Sequence, residues 1–448
     1  MTIDRRDLLN VATVAAALTL VAQPAHAAPL PSALGRDGAR YGLRGDTSED
    51  QTRALQAAID DAARTRVPLA LAPGSYRSGP LRLPDGAQIV GVRGATRLAF
   101  TGGGVSFLGS EGSNAIVLAN LVLDGGSIAL PVRHGLVHCL RGRDIRIIDC
   151  AIANSGGNGI WFDGVSGEIR GNAISRAART GVVSFDAQGL LVAQNVIVDA
   201  SDNGIEILRH TIGDDGTQVI DNRIETIKAG PGGTGQYGNA INIFRAGNVI
   251  VRGNRIRDCD YSAVRGNSAS NIQITGNSVT DVREVALYSE FAFEGAIIAN
   301  NTVDKAAMGV AVANFNEGGR LSVVQGNIIR NLLPKRPIAT APDDAAGIGI
   351  GVEADTTVSG NVIENAPSFG ILAGWGKYLR DVAITGNVIR NSAFGIGVSV
   401  VNGAGTALIG NNVIAQASRG AVVGLDHALP VTGDLTREGA SRLPQVVL

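Results

Sequence analysis

Glu206, Asn242, Arg265 and Tyr288 fall at equivalent places in four successive repeats of this 448-residue chain, each directly after an apolar residue: Ile205, Ile241, Val264 and Leu287. On a strand whose apolar residue points inward, the next side chain points out. The four would then stack along one face at about 4.8 Å intervals. Trp161 and Val183 precede them in the same row, and a second outward row reads Asp163, Phe185, Leu208, Phe244, Asn267 and Glu290. The turn that follows supplies Arg209, His210, Arg245 and Ser268. A carboxylate, an arginine and a tyrosine on one face suit proton abstraction beside a sugar carboxylate. That chemistry needs a cation for the carboxylate, a base for the proton and an acid for the leaving oxygen. Arg265, with Arg209 or Arg245, is the expected bidentate clamp. Tyr288 or His210 is expected to move the proton, and Glu206 or Glu290 to orient it or hold Ca²⁺, while Asn242 and Asn267 add hydrogen bonds to substrate. The competing reading is a charged ladder that keeps a rod in solution. A register slip of one residue would turn the row inward.

Other residues offer less specific chemistry. Trp375 and Tyr378, in Gly374-Trp375-Gly376-Lys377-Tyr378, are of a type that stacks on sugar rings or seals a turn. Asp258 and Asp260 flank Cys259 as an ion site or a solvated turn. Gly213-Asp214-Asp215-Gly216 supplies paired acids, but the Gly-His-Gly phrase of the glycosidases of this kind is missing, so hydrolysis fits less well than elimination or epimerisation. Two insertions lengthen their repeats, Ala229–Tyr237 just beside the proposed row and Leu332–Ala346 in another coil, and such long loops commonly wall a groove. Neither a P-loop, a dinucleotide motif nor a serine-nucleophile elbow occurs. The formal net charge of -1 gives no ground for a nucleic-acid partner. The expected partner is an acidic polysaccharide or another glycan; any cofactor stays open, with Ca²⁺ the candidate.

These side chains need a scaffold, and the repeats provide it. The 60 glycines are roughly double the usual share of about 7%, as expected where tight turns recur. The phrase Ile169-Arg170-Gly171-Asn172-Ala173-Ile174 returns around Asn277, Asn361 and Asn387, with variants at Asn195, Asn222, Asn254, Asn301, Asn327 and Asn412. Between them lie second apolar phrases such as Gly204-Ile205-Glu206-Ile207 and Ala240-Ile241-Asn242-Ile243. Each repeat therefore holds two or three short strands with alternating pattern, one coil of a parallel β-helix. Parallel crossovers favour the right hand. About twelve coils fit from Asn120 to Asn412 at this repeat length. The asparagines are expected near left-handed conformation, bonding up the stack. Leucine-rich repeats share the asparagine phrase, but Ile and Val replace their leucines here. Cys139, Cys150 and Cys259 read as buried thiols or one disulfide, with Cys150 and Cys259 at matching places.

The chain opens with Arg5-Arg6, an apolar run from Val11 to Ala22 and Ala25-His26-Ala27, a twin-arginine-type signal with cleavage after Ala27. Asp4, Leu8 and Asn10 depart from the usual pattern, which leaves an ordinary secretory signal as the alternative. Export to the periplasm through the twin-arginine translocon is expected, with no transmembrane anchor after cleavage. Leu55, Ala58, Ile59 and Ala62 then mark a helix over 51–64 capped by Thr47 or Ser48, followed by an apolar strand and Pro73-Gly74-Ser75-Tyr76.

This helix, strand and Pro-Gly-Ser-Tyr series resembles the start of pectate-lyase-like proteins, in which a helix covers the open end of a right-handed parallel β-helix. Within that group the order of signal, cap helix and Gly-Asn coils resembles a set of twin-arginine-translocated repeat proteins along essentially the whole chain. The resemblance implies export and fold; the wider group includes polysaccharide lyases, epimerases, hydrolases and non-catalytic binding proteins. The expected organisation is a signal at 1–27, an N-terminal segment with its helix at 28–66, the β-helix at 67–430, and a tail or cap at 431–448.

Overall fold

The computed structural model describes residues 35–233, 235–337, 345–441, 443 and 445–448. Arg5 and Arg6, expected to belong to a signal, and Ala27, the expected cleavage residue, lie outside them. The chain winds into a right-handed parallel β-helix of about 14 turns. One ladder runs through sixteen strands, from Arg36–Asp37 to Val446–Val447. At the strand spacing of about 4.8 Å it extends roughly 70 Å. The twelve coils expected between Asn120 and Asn412 are all present, as the strands from Val117–Ala119 to Ala407–Gly410. The additional turns lie outside that interval, where the chain keeps the strand pattern but lacks the asparagine phrase.

A typical coil takes one strand in each of three ladders. Ile145–Ile148 belongs to the first, Ala151–Ala153 to the second and Asn158–Asp163 to the third. Inward Ile and Val stack coil upon coil: Ile160, Val182, Ile205, Ile241, Val264 and Leu287 are fully buried. Each such side chain contributes about 2 kcal/mol through burial.

The asparagine turn holds a correction. The left-handed residue is the one before each asparagine, such as Gly171, Gln194, Asp221 or Gly253, and not the asparagine itself. That explains the glycine of the phrase. It frees the asparagine side chain to point inside the bend, where Nδ2 of Asn254 donates to Oδ1 of Asn277 at 3.0 Å and to the carbonyl of Val219 at 2.9 Å. Ten asparagines, from Asn172 to Asn412, form this chain. Cys150 takes the asparagine's place one coil earlier: its backbone N–H donates to Asn172, and its thiol donates to the Leu118 and Ile148 carbonyls. Cys259 instead ends a strand of the second ladder, so the two cysteines are not equivalent. All three are buried and free.

The helix spans Thr52–Thr65 and buries Leu55, Ala58, Ile59 and Ala62 as its pattern predicts. Its cap differs from expectation: Asp50 Oδ1 accepts from the N–H of Thr52, while Thr47 lies too early in the chain to reach the first turn. At the other end Leu429–Asp434 folds back antiparallel onto Val413–Asp426. Among the described residues no helix is long and apolar enough to cross a membrane.

Candidate functional site

The third ladder carries both outward rows in the register that alternation predicts. Trp161, Val183, Glu206, Asn242, Arg265 and Tyr288 pair in succession down the rod. Asp163, Phe185, Leu208, Phe244, Asn267 and Glu290 form the neighbouring row. What the sequence did not reveal is how much of this face is covered, and by what.

In the far half of the row Glu290 is buried, and Arg265 and Tyr288 are partly buried. Arg265 donates from Nε to Glu290 at 2.6 Å, and its Nη1 lies 4.0 Å from Glu284. Arg336 reaches Glu284 at 3.2 Å. Glu290 is 2% exposed, and Tyr288 lies under the Arg265 guanidinium at 5.5 Å. Asn267 donates to Glu290 at 3.1 Å. Glu284 and Arg336 escape a row-by-row reading because one sits in the turn before its strand and the other in an insertion. Gly235 of the first insertion and Arg336 of the second reach the cluster. Gly235 passes so close to Arg265 that a Cβ would overlap Nη1, and its φ of 119° also demands glycine. Arg336 comes from the second insertion and bonds Ala345 at 3.1 Å. Gly235 and Arg336 thus cover part of this face. Burial, then the charges of Glu290 and Glu284, raises the pKa of Tyr288, so its phenol stays protonated and is no base. Of the residues expected on this face, Arg265 is thus hydrogen-bonded to Glu290 and within ion-pair reach of Glu284, with Tyr288 partly buried beneath its guanidinium.

The near half differs. Glu206 is partly buried, and its Oε1 accepts from Nδ2 of Asn203 at 2.6 Å. Burial pushes its carboxyl up to about 7, with Asp202 adding to the rise and Asn203 opposing it. Asn203 is itself fixed: its Oδ1 accepts from the N–H of Asn239 at 2.9 Å, and Asn239 Oδ1 accepts from Ser262. Ser262 in turn donates to Glu284 at 2.9 Å, so a chain of polar groups joins Glu206 to the Arg265 cluster. Asn242, next in the row, is 9% exposed.

Beyond Leu208 the register breaks, and the chain bulges before rejoining the ladder at Gly213. The bulge explains why Arg209 and His210 leave the face and form its rim. His210 stacks on Phe185 at 4.9 Å and lies 3.8 Å from Asp186. Asp163, Asp186 and His210 bring one ligand atom each within 4.8 Å of one another, the geometry of a candidate metal site on this rim. Its imidazole suits a transition metal better than Ca²⁺. Arg209 lies 3.8 Å from Asp186 as a competing cation. Arg245 covers Phe244 at 4.6 Å and donates to the His210 carbonyl at 2.9 Å, so it braces the bulge.

The remaining candidates are elsewhere. Trp375 and Tyr378 close a tight turn through mutual backbone bonds, and Trp375 packs against the cluster of Phe369, Leu372 and Phe394, three coils beyond Tyr288. They do not join the face around Glu206. Asp258 and Asp260 pair with Arg283 at 2.8 and 2.6 Å, so basic side chains take the place offered to an ion.

A continuous parallel coil with insertions over one ladder defines the class of right-handed β-helix proteins. The chain belongs to the family of right handed beta helix regions, which matches residues 95–224, 158–328 and 210–380 in overlapping stretches. The N-terminal fragment of gene product 12 of bacteriophage Phi29 is similar in structure, with TM-score 0.53 and 16% identity over 88% of this chain and 69% of that one. The A-module of mannuronan C-5 epimerase AlgE6 from Azotobacter vinelandii is also similar, with TM-score 0.53 and 16% identity over 87% of this chain and 99% of the module. At these identities the likeness speaks for the fold. No curated protein matches the sequence.

Proposed function

We propose that the chain is an exported, periplasmic protein that binds an acidic polysaccharide along the third ladder and transfers a proton at Glu206, by β-elimination or epimerisation. The observation that carries the reading is the Glu206 carboxyl, held near 7 by burial and positioned by Asn203. A carboxylate of that pKa is close to half ionised at neutral pH and is far more basic than an ordinary glutamate. It would take the proton beside a uronate carboxylate. In elimination the electron pair then expels the neighbouring C4 oxygen; in epimerisation a proton returns to the opposite face. The cation must come from the rim, where Arg209 is the nearest arginine along the strand and its buried Nε finds no hydrogen-bond partner among the described residues. The named activity of the AlgE6 module, on mannuronan, is compatible with this class of reaction. Export rests on Arg5, Arg6 and Ala27.

A second reading, a glycan-binding protein without chemistry, is favoured by one specific observation: Arg265, Arg336, Glu284 and Glu290 neutralise one another. The two readings separate on exposing the protein, from Ala28 onward, to alginate, pectate and hyaluronan in deuterated buffer. Deuterium entering C5, or unsaturated uronate appearing, supports chemistry. Binding without either supports the second reading.

A further inference from the structure

The outward row continues toward the N-terminus as His138, Gly109 and Arg82. At Gly109 it is interrupted by a hollow of about 560 Å³, a size usual for small-ligand sites. Arg82 and Glu111 border it, with His134 and His138 on the opposite side and Val105 and Leu140 as apolar lining. Backbone geometry does not require this glycine. Its φ lies outside the left-handed range, and a Cβ would meet Ser106 Oγ at 3.3 Å and the His138 carbonyl only at 4.0 Å. The row's later glycines differ: a Cβ at Gly351 would come 2.3 Å from Met308, and one at Gly397 2.5 Å from Leu425. Those are filled by neighbours, whereas the space over Gly109 is not.

The groups around the hollow are mainly donors. His134 and His138 stack at 4.6 Å, and Nδ1 of each is buried without a hydrogen-bond partner among the described residues. Burial pushes the His138 pKa down to about 4, so its ring is neutral, and because a buried unpaired N–H is rarer than a bare acceptor its proton sits on Nε2. Gln56 fixes Arg82 by accepting from its N–H at 2.8 Å and donating to its carbonyl at 3.0 Å. The Arg82 guanidinium holds Asp60 at 3.2 Å on an exposed side, an arrangement an incoming anion can share.

We propose that this hollow binds one carboxylated sugar residue, a uronate within or at the end of an acidic glycan. The guanidinium of Arg82 takes the carboxylate, the His138 Nε2–H takes a ring or hydroxyl oxygen, Glu111, which pairs with Arg141, accepts from a hydroxyl through its remaining lone pairs, and Val105 and Leu140 meet the apolar sugar face. The proposal rests on the partner being an acidic glycan, but the site is separate from Glu206. Gly109 and Glu206 are four rung spacings apart, roughly 19 Å at the strand spacing, so one polysaccharide chain laid along the rod reaches both.

Calorimetric titration of the protein with glucuronate, galacturonate, mannuronate and glucose tests this. The expected result is saturable binding of at least one uronate, with glucose about tenfold weaker or worse. Gly109→Leu, which fills the hollow, and Arg82→Gln should each weaken the uronate by about tenfold or more, while Gly109→Leu melts as the parent does. Equal binding of glucose and uronate, unchanged binding by Gly109→Leu, or no saturable uronate would each overturn it. C5 exchange on polymer keeps the two ideas apart. Exchange by a protein that binds no uronate at the hollow sinks this proposal and leaves the Glu206 reading standing. Uronate binding lost in Gly109→Leu, without exchange in any variant, does the reverse.

Discussion

Asn203 donates from Nδ2 to Oε1 of Glu206 at 2.6 Å while its own Oδ1 is held by the backbone and side chain of Asn239. The amide is thereby oriented with its donor toward the carboxylate, which opposes part of the upward pull of burial on the Glu206 pKa. Removing it should raise that pKa further. In Asn203→Ala the acid limb that reports Glu206 ionisation should move to higher pH, in the exchange rate or in a carbon-13 titration of the carboxyl. A change in rate with an unmoved limb would make Asn203 merely structural.

Glu206 should also leave a mark on stability. Its folded pKa, about 7, lies above the ordinary value of 4.5. The folded state therefore holds the proton more tightly than the unfolded chain, and stability falls as pH rises from about 4.5 through about 7. Glu206→Gln removes that dependence. The variant should gain on the parent between pH 5 and pH 8 in thermal melts, most at the higher pH; an equal gain at both would contradict the assignment.

The Arg265–Glu290 pair predicts an asymmetry. Glu290 is almost wholly buried and Arg265 nearly so, and removing one partner strands the other's charge. Arg265→Ala or Glu290→Ala alone should cost about 3–5 kcal/mol, and the double substitution to well-packed apolar residues less than the sum. Denaturant midpoints measure this. Strict additivity would mean that the charges do not depend on each other.

The asparagine chain should be most sensitive where it is continuous. Asn277 accepts from Asn254 and donates to Asn301 at 3.0 Å and to the Val251 carbonyl at 3.1 Å, all buried. Asn277→Ala leaves buried groups unpaired, at about 1–3 kcal/mol each. Asn412, the last of the series and partly exposed, should tolerate the same change better. Comparable losses at both ends would argue against stacking as the source.

The sequence carried the fold in plain form because the coil repeats its own rules. Apolar alternation set the inward row, and the same alternation put Glu206, Arg265 and Tyr288 on the outside in the right register. It could not show which outward residues stay accessible. That depends on where Gly235 and Arg336 fold back, and loop paths follow no period. Arg209 and His210 were expected in the turn after the strand; instead the strand continues to Asp214, with a register break after Leu208 that sets them at the rim. The hollow at Gly109 was legible only in hindsight, since a glycine in a row is visible in sequence but its unfilled surroundings are not.

The most direct test of the central claim is C5 deuterium exchange on alginate, pectate and hyaluronan by the parent protein and by Glu206→Gln, followed by proton resonance. The account predicts exchange or unsaturated product with at least one polymer, lost in Glu206→Gln by about a hundredfold or more, with binding of that polymer retained. Exchange that survives in Glu206→Gln would contradict it and move the proton transfer elsewhere on the rod.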